Sequence, residues 1–165
     1  MRLEKAAAIA VVLASSFLAA APRLVAAPPE GPIRFLPGED PGAGAPFSPD
    51  PLTVHFTRYS AFEVDAQKTI MVAARSGTTW STPVPAPFSG AWSDTTPHVS
   101  PDGRRLYFAS TRPLNAAKKE DFDLWYVEKT PSGWSDPKHV ESVNSGDNET
   151  SPAVTAKGVL YFCSW

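Results

Sequence analysis

Thr96-Pro97-His98-Val99-Ser100-Pro101-Asp102-Gly103-Arg104-Arg105-Leu106-Tyr107-Phe108-Ala109-Ser110 is the stretch on which the reading of this chain turns. Pro101 presets φ, the Asp102 carboxylate can cap nearby backbone N–H groups, and Gly103 supplies the positive φ that a tight reversal needs. A turn therefore divides the residues before Ser100 from a strand over Arg105–Ser110, with a bulge expected at Gly103. In Leu106-Tyr107-Phe108-Ala109, and downstream in Leu124-Trp125-Tyr126-Val127, residues pointing to both sides are apolar or aromatic. An antiparallel strand with one wet face alternates apolar with polar, so these strands are expected to be covered on both faces by further sheets.

The stretch recurs along the chain. Ser48-Pro49-Asp50 through Phe56 aligns with Ser100-Pro101-Asp102 through Phe108 at an offset of 52, and Phe108 aligns with Phe162 at 54. Thr57-Arg58 matches Thr111-Arg112, Ile70-Met71-Val72 matches Leu124-Trp125-Tyr126, and Trp80-Ser81 matches Trp134-Ser135, each at 54. Asp94-Thr95-Thr96-Pro97 matches Glu149-Thr150-Ser151-Pro152 at 55. The first copy has Pro51 where the turn glycine would stand, and the third has Ala156-Lys157 in place of Pro-Asp, so those turns are expected to differ in type. A period of 52 to 55 residues built of short strands and turns implies an all-β protein of stacked sheets. Eighteen prolines spread along the chain break every window long enough for an amphipathic helix beyond the N-terminal apolar run.

That run begins after Arg2 and Lys5 and extends from Ala6 to Ala21, the charged and apolar parts of a secretory signal. A single-pass anchor is the competing reading, disfavoured because the run is Ala-rich and sits near the roughly 17-residue minimum for a bilayer span. Val25-Ala26-Ala27 has the small-residue pattern of a cleavage site, although Pro28 follows it. Residues 1–27 are thus assigned to a signal peptide and 28–45 to a Pro/Gly-rich linker. The repeats occupy 46–165, and no later segment is apolar for long enough to span a membrane.

The stretch from Thr96 to Ser110 closely resembles the blade signature of TolB-like, WD-repeat-like β-propellers, in which a Ser-Pro-Asp-Gly turn leads into an apolar strand. Asp123-Leu124-Trp125-Tyr126-Val127 and Gly133-Trp134-Ser135-Asp136-Pro137 look like the next strands of the same blade. The resemblance implies four-stranded antiparallel blades near 46–93 and 94–148 and a truncated one at 149–165, an incomplete ring of about two to three blades. It further implies a non-catalytic binding or scaffolding module in the periplasm or outside the cell, meeting another protein or an envelope glycan through its loops. The alternatives are a propeller enzyme, either carbohydrate-active or the propeller part of a serine peptidase, and a structural component of a cell-envelope lattice.

No residue is assigned a catalytic, cofactor-binding or metal role, and no cofactor is expected. Gly77-Thr78-Thr79-Trp80 and Ser132-Gly133-Trp134 loosely resemble the Asp-box turn of sialidases, but neither carries the aspartate at its place. His55, His98 and His139 fall at different repeat positions without metal-ligand spacing. Ser48, Ser100 and Ser110 lie beside turns outside any Gly-x-Ser-x-Gly elbow, and their expected part is hydrogen bonding. Asn144 through Glu149 is rich in oxygen ligands but fits no calcium-loop spacing, and Asn148-Glu149-Thr150 is formally a glycosylation sequon. Asp94 and Glu149, recurring acids at the start of successive repeats, are expected to accept hydrogen bonds from backbone N–H groups or from an arginine such as Arg112. Cys163 is expected to be a small buried hydrophobe in a strand. The net charge of −2, with Lys118-Lys119 an isolated basic pair followed by Glu120-Asp121, argues against nucleic acid.

Overall fold

The computed structural model describes residues 48–61, 66–114 and 121–165. The proposed signal and linker at 1–45 and the pair Lys118-Lys119 lie outside them. The described residues are all β, in antiparallel sheets without a helix, and therefore without any helix long and apolar enough to cross a membrane. The first sheet comprises β1 (Thr53–Tyr59), β2 (Lys68–Ser76), and two short segments, β3 (Thr79–Trp80) and β4 (Val84–Pro85), both paired with β2. The second runs β5 (Asp94–Val99), β6 (Arg105–Ser110), β7 (Asp123–Thr130), then β8 (Gly133–Trp134) and β9 (Lys138–His139), both paired with β7. The third pairs β10 (Glu149–Val154) with β11 (Leu160–Ser164).

Each reversal follows its own sequence. In the second sheet Gly103 has φ 70, its N–H donates to the Ser100 carbonyl at 2.8 Å, and the Ser100 N–H donates to the Arg105 carbonyl at 2.8 Å. The Asp102 carboxylate accepts from Ser100 Oγ at 2.6 Å and from the Arg104 N–H at 3.0 Å, and these bonds hold it below the usual carboxylate range. The third copy is one residue shorter and closes around Gly158, φ 80, from Thr155 to Val159. Lacking a glycine, the first copy uses Asp50 to cap the N–H groups of Leu52 and Thr53, both at 3.0 Å.

The irregularity in strand pairing falls not at Gly103 but between Thr95 and His98, and again between Thr150 and Ala153. Thr96 and Ser151 there adopt φ 49 and 53, a left-handed conformation that costs a β-branched residue most. In each case the freed N–H finds a hydroxyl of the preceding sheet. The Thr96 N–H donates to Thr57 Oγ1 at 3.1 Å, and the Ser151 N–H donates to Thr96 Oγ1 at 3.2 Å.

Pairing also corrects the match of Thr57-Arg58 with Thr111-Arg112. Thr57 lies inside β1 opposite Ile70, as Ala109 lies inside β6 opposite Leu124, so the offset is 52 through that strand. Met71 opposite Phe56 and Trp125 opposite Phe108 fix it at 54 in the next strand. The two additional residues belong to the connection between β6 and β7.

β1, β2, β6 and β7 bury side chains on both faces, as the double apolar pattern requires. Val54, Phe56, Met71 and Ala73 form one cluster on the first sheet, flanked by Trp80. The opposite face contributes Ile70 and Ala86 to a cluster shared with Val99, Leu106, Phe108, Trp125 and Val127 of the second sheet, flanked by Phe88 and Trp134. Toward the third sheet the second buries Ala109 and Leu124 fully, and β10 lies against β5, β6 and β7. Cys163 departs from expectation: it is exposed, because among the described strands β11 packs against β10 alone and no other sheet covers its faces. Phe108 is wholly buried at the centre of the shared cluster, so Phe108→Ala should cost about 3–5 kcal/mol in urea unfolding. Tyr161→Ala, at a 62% exposed position, should change the midpoint little.

Candidate functional site

The chemistry-bearing side chains gather where one sheet hands over to the next. Asp94, fully buried at the head of β5, accepts from Ser89 Oγ at 2.7 Å and from the Gly90 N–H at 3.4 Å, both in the connection leaving the first sheet. Its other oxygen takes Arg112 Nη2 at 2.8 Å. Glu149, at the head of β10, repeats the arrangement, accepting from the Ser145 N–H at 3.1 Å, Ser145 Oγ at 2.5 Å and Ser164 Oγ at 3.2 Å. Two further bonds recur in step. Ser89 Oγ accepts from the Ile70 N–H as Asn144 Oδ1 accepts from the Leu124 N–H, at 2.9 and 2.7 Å. Ser93 Oγ accepts from the Lys68 N–H as Asn148 Oδ1 accepts from the Phe122 N–H, at 3.2 and 3.1 Å. Asn144, Ser145, Asn148 and Glu149 of the oxygen-rich loop thus accept from backbone and hydroxyl donors.

Arg112 binds more than its acid. Its Nε donates to Ser110 Oγ at 2.9 Å, Nη2 donates also to the Phe88 carbonyl at 3.1 Å, and the guanidinium lies 4.9 Å from the Phe108 ring and 5.3 Å from that of Trp125. Nη1 has no acceptor among the described residues. The Arg112 side chain is only 10% exposed, and it lines a cleft of about 380 Å3 whose walls include Phe88, Trp92, Trp134 and Asp136. Trp92 is 40% exposed there, Phe88 and Trp134 are half-buried with their rings at 87° and 6.5 Å, and Asp136 is exposed. Of these residues the sequence reading singled out Arg112, Trp134 and Asp136. It missed Phe88 and Trp92, which sit in a loop of small residues where no strand periodicity marks them.

A larger groove, about 940 Å3, opens between the second and third sheets and includes Arg105, Tyr107, Glu128 and Gly158. Tyr107 occupies the register position that His55 holds in the first sheet, two residues into the strand from Arg105 as His55 is from Thr53. The space beside His55 is filled by Trp134, with ring centroids 6.0 Å apart. The groove is therefore the open counterpart of a contact between sheets, and its Arg105–Glu128–Lys138 ion pairs, at 3.0 and 2.5 Å, lie on an exposed sheet face.

The histidines are dispersed. His98 is half-buried in β5, and His139 Nε2 lies 3.0 Å from Asp123 Oδ2 and 2.7 Å from Asn144 Nδ2. His55, 2% exposed, lies 3.5 Å from Ser48 Oγ. Among the described residues no group of three or more His, Cys, Asp or Glu is placed to hold a metal ion. The chain matches no protein-family model, no curated protein and no solved structure.

Three outcomes follow from these environments. Asp94→Asn leaves a buried guanidinium without its counter-charge and should destabilise by about 3–5 kcal/mol. Glu149→Gln leaves only neutral donors and should cost about 1–2 kcal/mol, both read from urea midpoints. Burial, reinforced by the nearby Lys129 and opposed by Asp50, pushes His55 down from 6.5 to about 4. Its contribution is accordingly complete above about pH 6.5 and is lost as the pH falls toward 4, by up to about 3 kcal/mol. His55→Gln should flatten that part of the stability profile.

Proposed function

We propose that the sheets are successive blades of a TolB-like, WD-repeat-like β-propeller, in an exported protein that works by binding. The observation that carries this reading is the repeated clasp. Asp94 and Glu149 take donors from the preceding connection in the same way, 55 residues apart, and Ser89 and Asn144 tie that connection to Ile70 and Leu124. A rule for joining one sheet to the next, applied twice, is what a radially repeating fold requires. The order β5, β6, β7 and β8 with β9 supplies the four-stranded meander of one blade. Binding rather than turnover is favoured because the buried ionisable groups at the junction, Asp94, Arg112 and Glu149, are engaged in holding sheets together. The accessible cleft beside them is lined by three aromatic side chains together with prolines and a few polar groups, a mixture common in ligand sites. Export rests on Arg2, Lys5 and the apolar run from Ala6 to Ala21.

Crystallography of the protein should place β5 and β10 nearest a common axis, and sheets stacked without such an axis would overturn the propeller. The purified protein should turn over no glycoside, ester or peptide substrate. Hydrolysis lost on substituting a single acid or serine would instead establish the enzyme reading. Expressed in a bacterium, the chain should be recovered outside the cytoplasm with its mature N-terminus between about Ala21 and Glu30, as read by intact mass.

A further inference from the structure

The cleft beside Arg112 has a composition that selects among ligands. We propose that it binds a neutral sugar ring, with Trp92 as stacking platform, Arg112 Nη1 as donor and Asp136 as acceptor; this rests on the reading of the protein as a binding module. A pyranose combines an apolar C–H face with hydroxyls at its edge that both donate and accept. Trp92, 40% exposed beside the half-buried Phe88 and Trp134, offers such a face its complement. At about 380 Å3 the cleft lies toward the lower end of the roughly 300–1,000 Å3 range of small-molecule sites, room for one or two rings.

The charges narrow the class further. The Arg112 guanidinium already has its counter-ion in Asp94 at 2.8 Å, so its remaining N–H groups suit a neutral oxygen rather than an anion. The exposed Asp136 carboxylate repels acidic sugars and accepts from hydroxyl donors. A proline-rich peptide would offer carbonyls to Nη1 but few donors to Asp136. A quaternary ammonium would meet the Arg112 guanidinium in the cleft wall and the Lys129 ammonium, 4.7 Å from the Trp134 ring centroid. Ser135 Oγ is occupied, donating to the Asp136 carbonyl and accepting from the Glu128 N–H, which fixes the rim from which the Asp136 side chain projects.

The test is isothermal titration calorimetry of the purified chain with cellobiose, maltose and chitobiose, and in parallel with glucuronic acid, a Pro-rich peptide and tetramethylammonium. At least one neutral disaccharide should bind saturably. Trp92→Ala should abolish that binding, and Asp136→Asn should weaken it at least tenfold, with cooperative unfolding retained in both because neither side chain belongs to a core cluster. No saturable binding by any of the three disaccharides up to tens of millimolar, binding that survives Trp92→Ala, or preference for the acid, peptide or ammonium would each overturn the proposal. Failure of the underlying reading is distinguishable, since it appears as cleavage of the disaccharide, whereas failure here leaves a folded, inert protein without Trp92-dependent binding.

Discussion

A carboxylate taken wholly out of water must be supplied with donors, and that requirement at Asp94 and Glu149 governs how the sheets succeed one another. Both acids stand at the head of the first strand of a sheet, and both draw donors from the connection that leaves the sheet before. The connection cannot move away without stripping a buried charge of its hydrogen bonds, a loss larger than that of an ordinary neutral bond. The same connections reach back to Ile70 in β2 and Leu124 in β7, so each joins an inner strand of one sheet to the first strand of the next. Apolar burial supplies the attraction between sheets, but it is non-directional. The clasp sets the spacing and order.

The two copies of the clasp differ in a way that bears on what each can do. At Asp94 a guanidinium completes the set and itself lies over the rings of Phe108 and Trp125. At Glu149 the longer side chain reaches hydroxyls of Ser145 and Ser164. One junction is thus an ion pair whose guanidinium lines a cleft, and the other a carboxylate served by hydroxyl and backbone donors alone. The shared geometry serves stability, and the exchange of acid and partners within it sets the chemistry that each junction presents.

Much of the fold was legible because turn chemistry and face pattern are local. Ser-Pro-Asp-Gly located the reversal before Arg105, and the double apolar pattern of Leu106 to Ala109 announced sheets on either side. The recurring acids were legible as structural acceptors, with Arg112 already named as a partner. The bulge was not, since a left-handed threonine before proline has no signature distinguishable from an ordinary strand; it exists because a hydroxyl on the neighbouring sheet accepts the freed N–H. The exposure of Cys163 was likewise hidden, because burial belongs to the neighbours of β11 and not to its own residues.

The candidate site was the least legible part, and for a physical reason. Its walls come from the loop at Phe88 to Trp92, the residue Arg112 beyond β6, and the break between β8 and β9 at Ser135 to Pro137, three places with no common period. What brings them together is the Asp94 clasp, which draws the first onto the second, and Trp134, which carries the third against Phe88. An aromatic cleft is therefore a by-product of joining two sheets, and its chemistry is set by residues that the joining leaves free. Trp92 and Asp136 are such residues: neither belongs to the core clusters, so their identities can change without altering the fold.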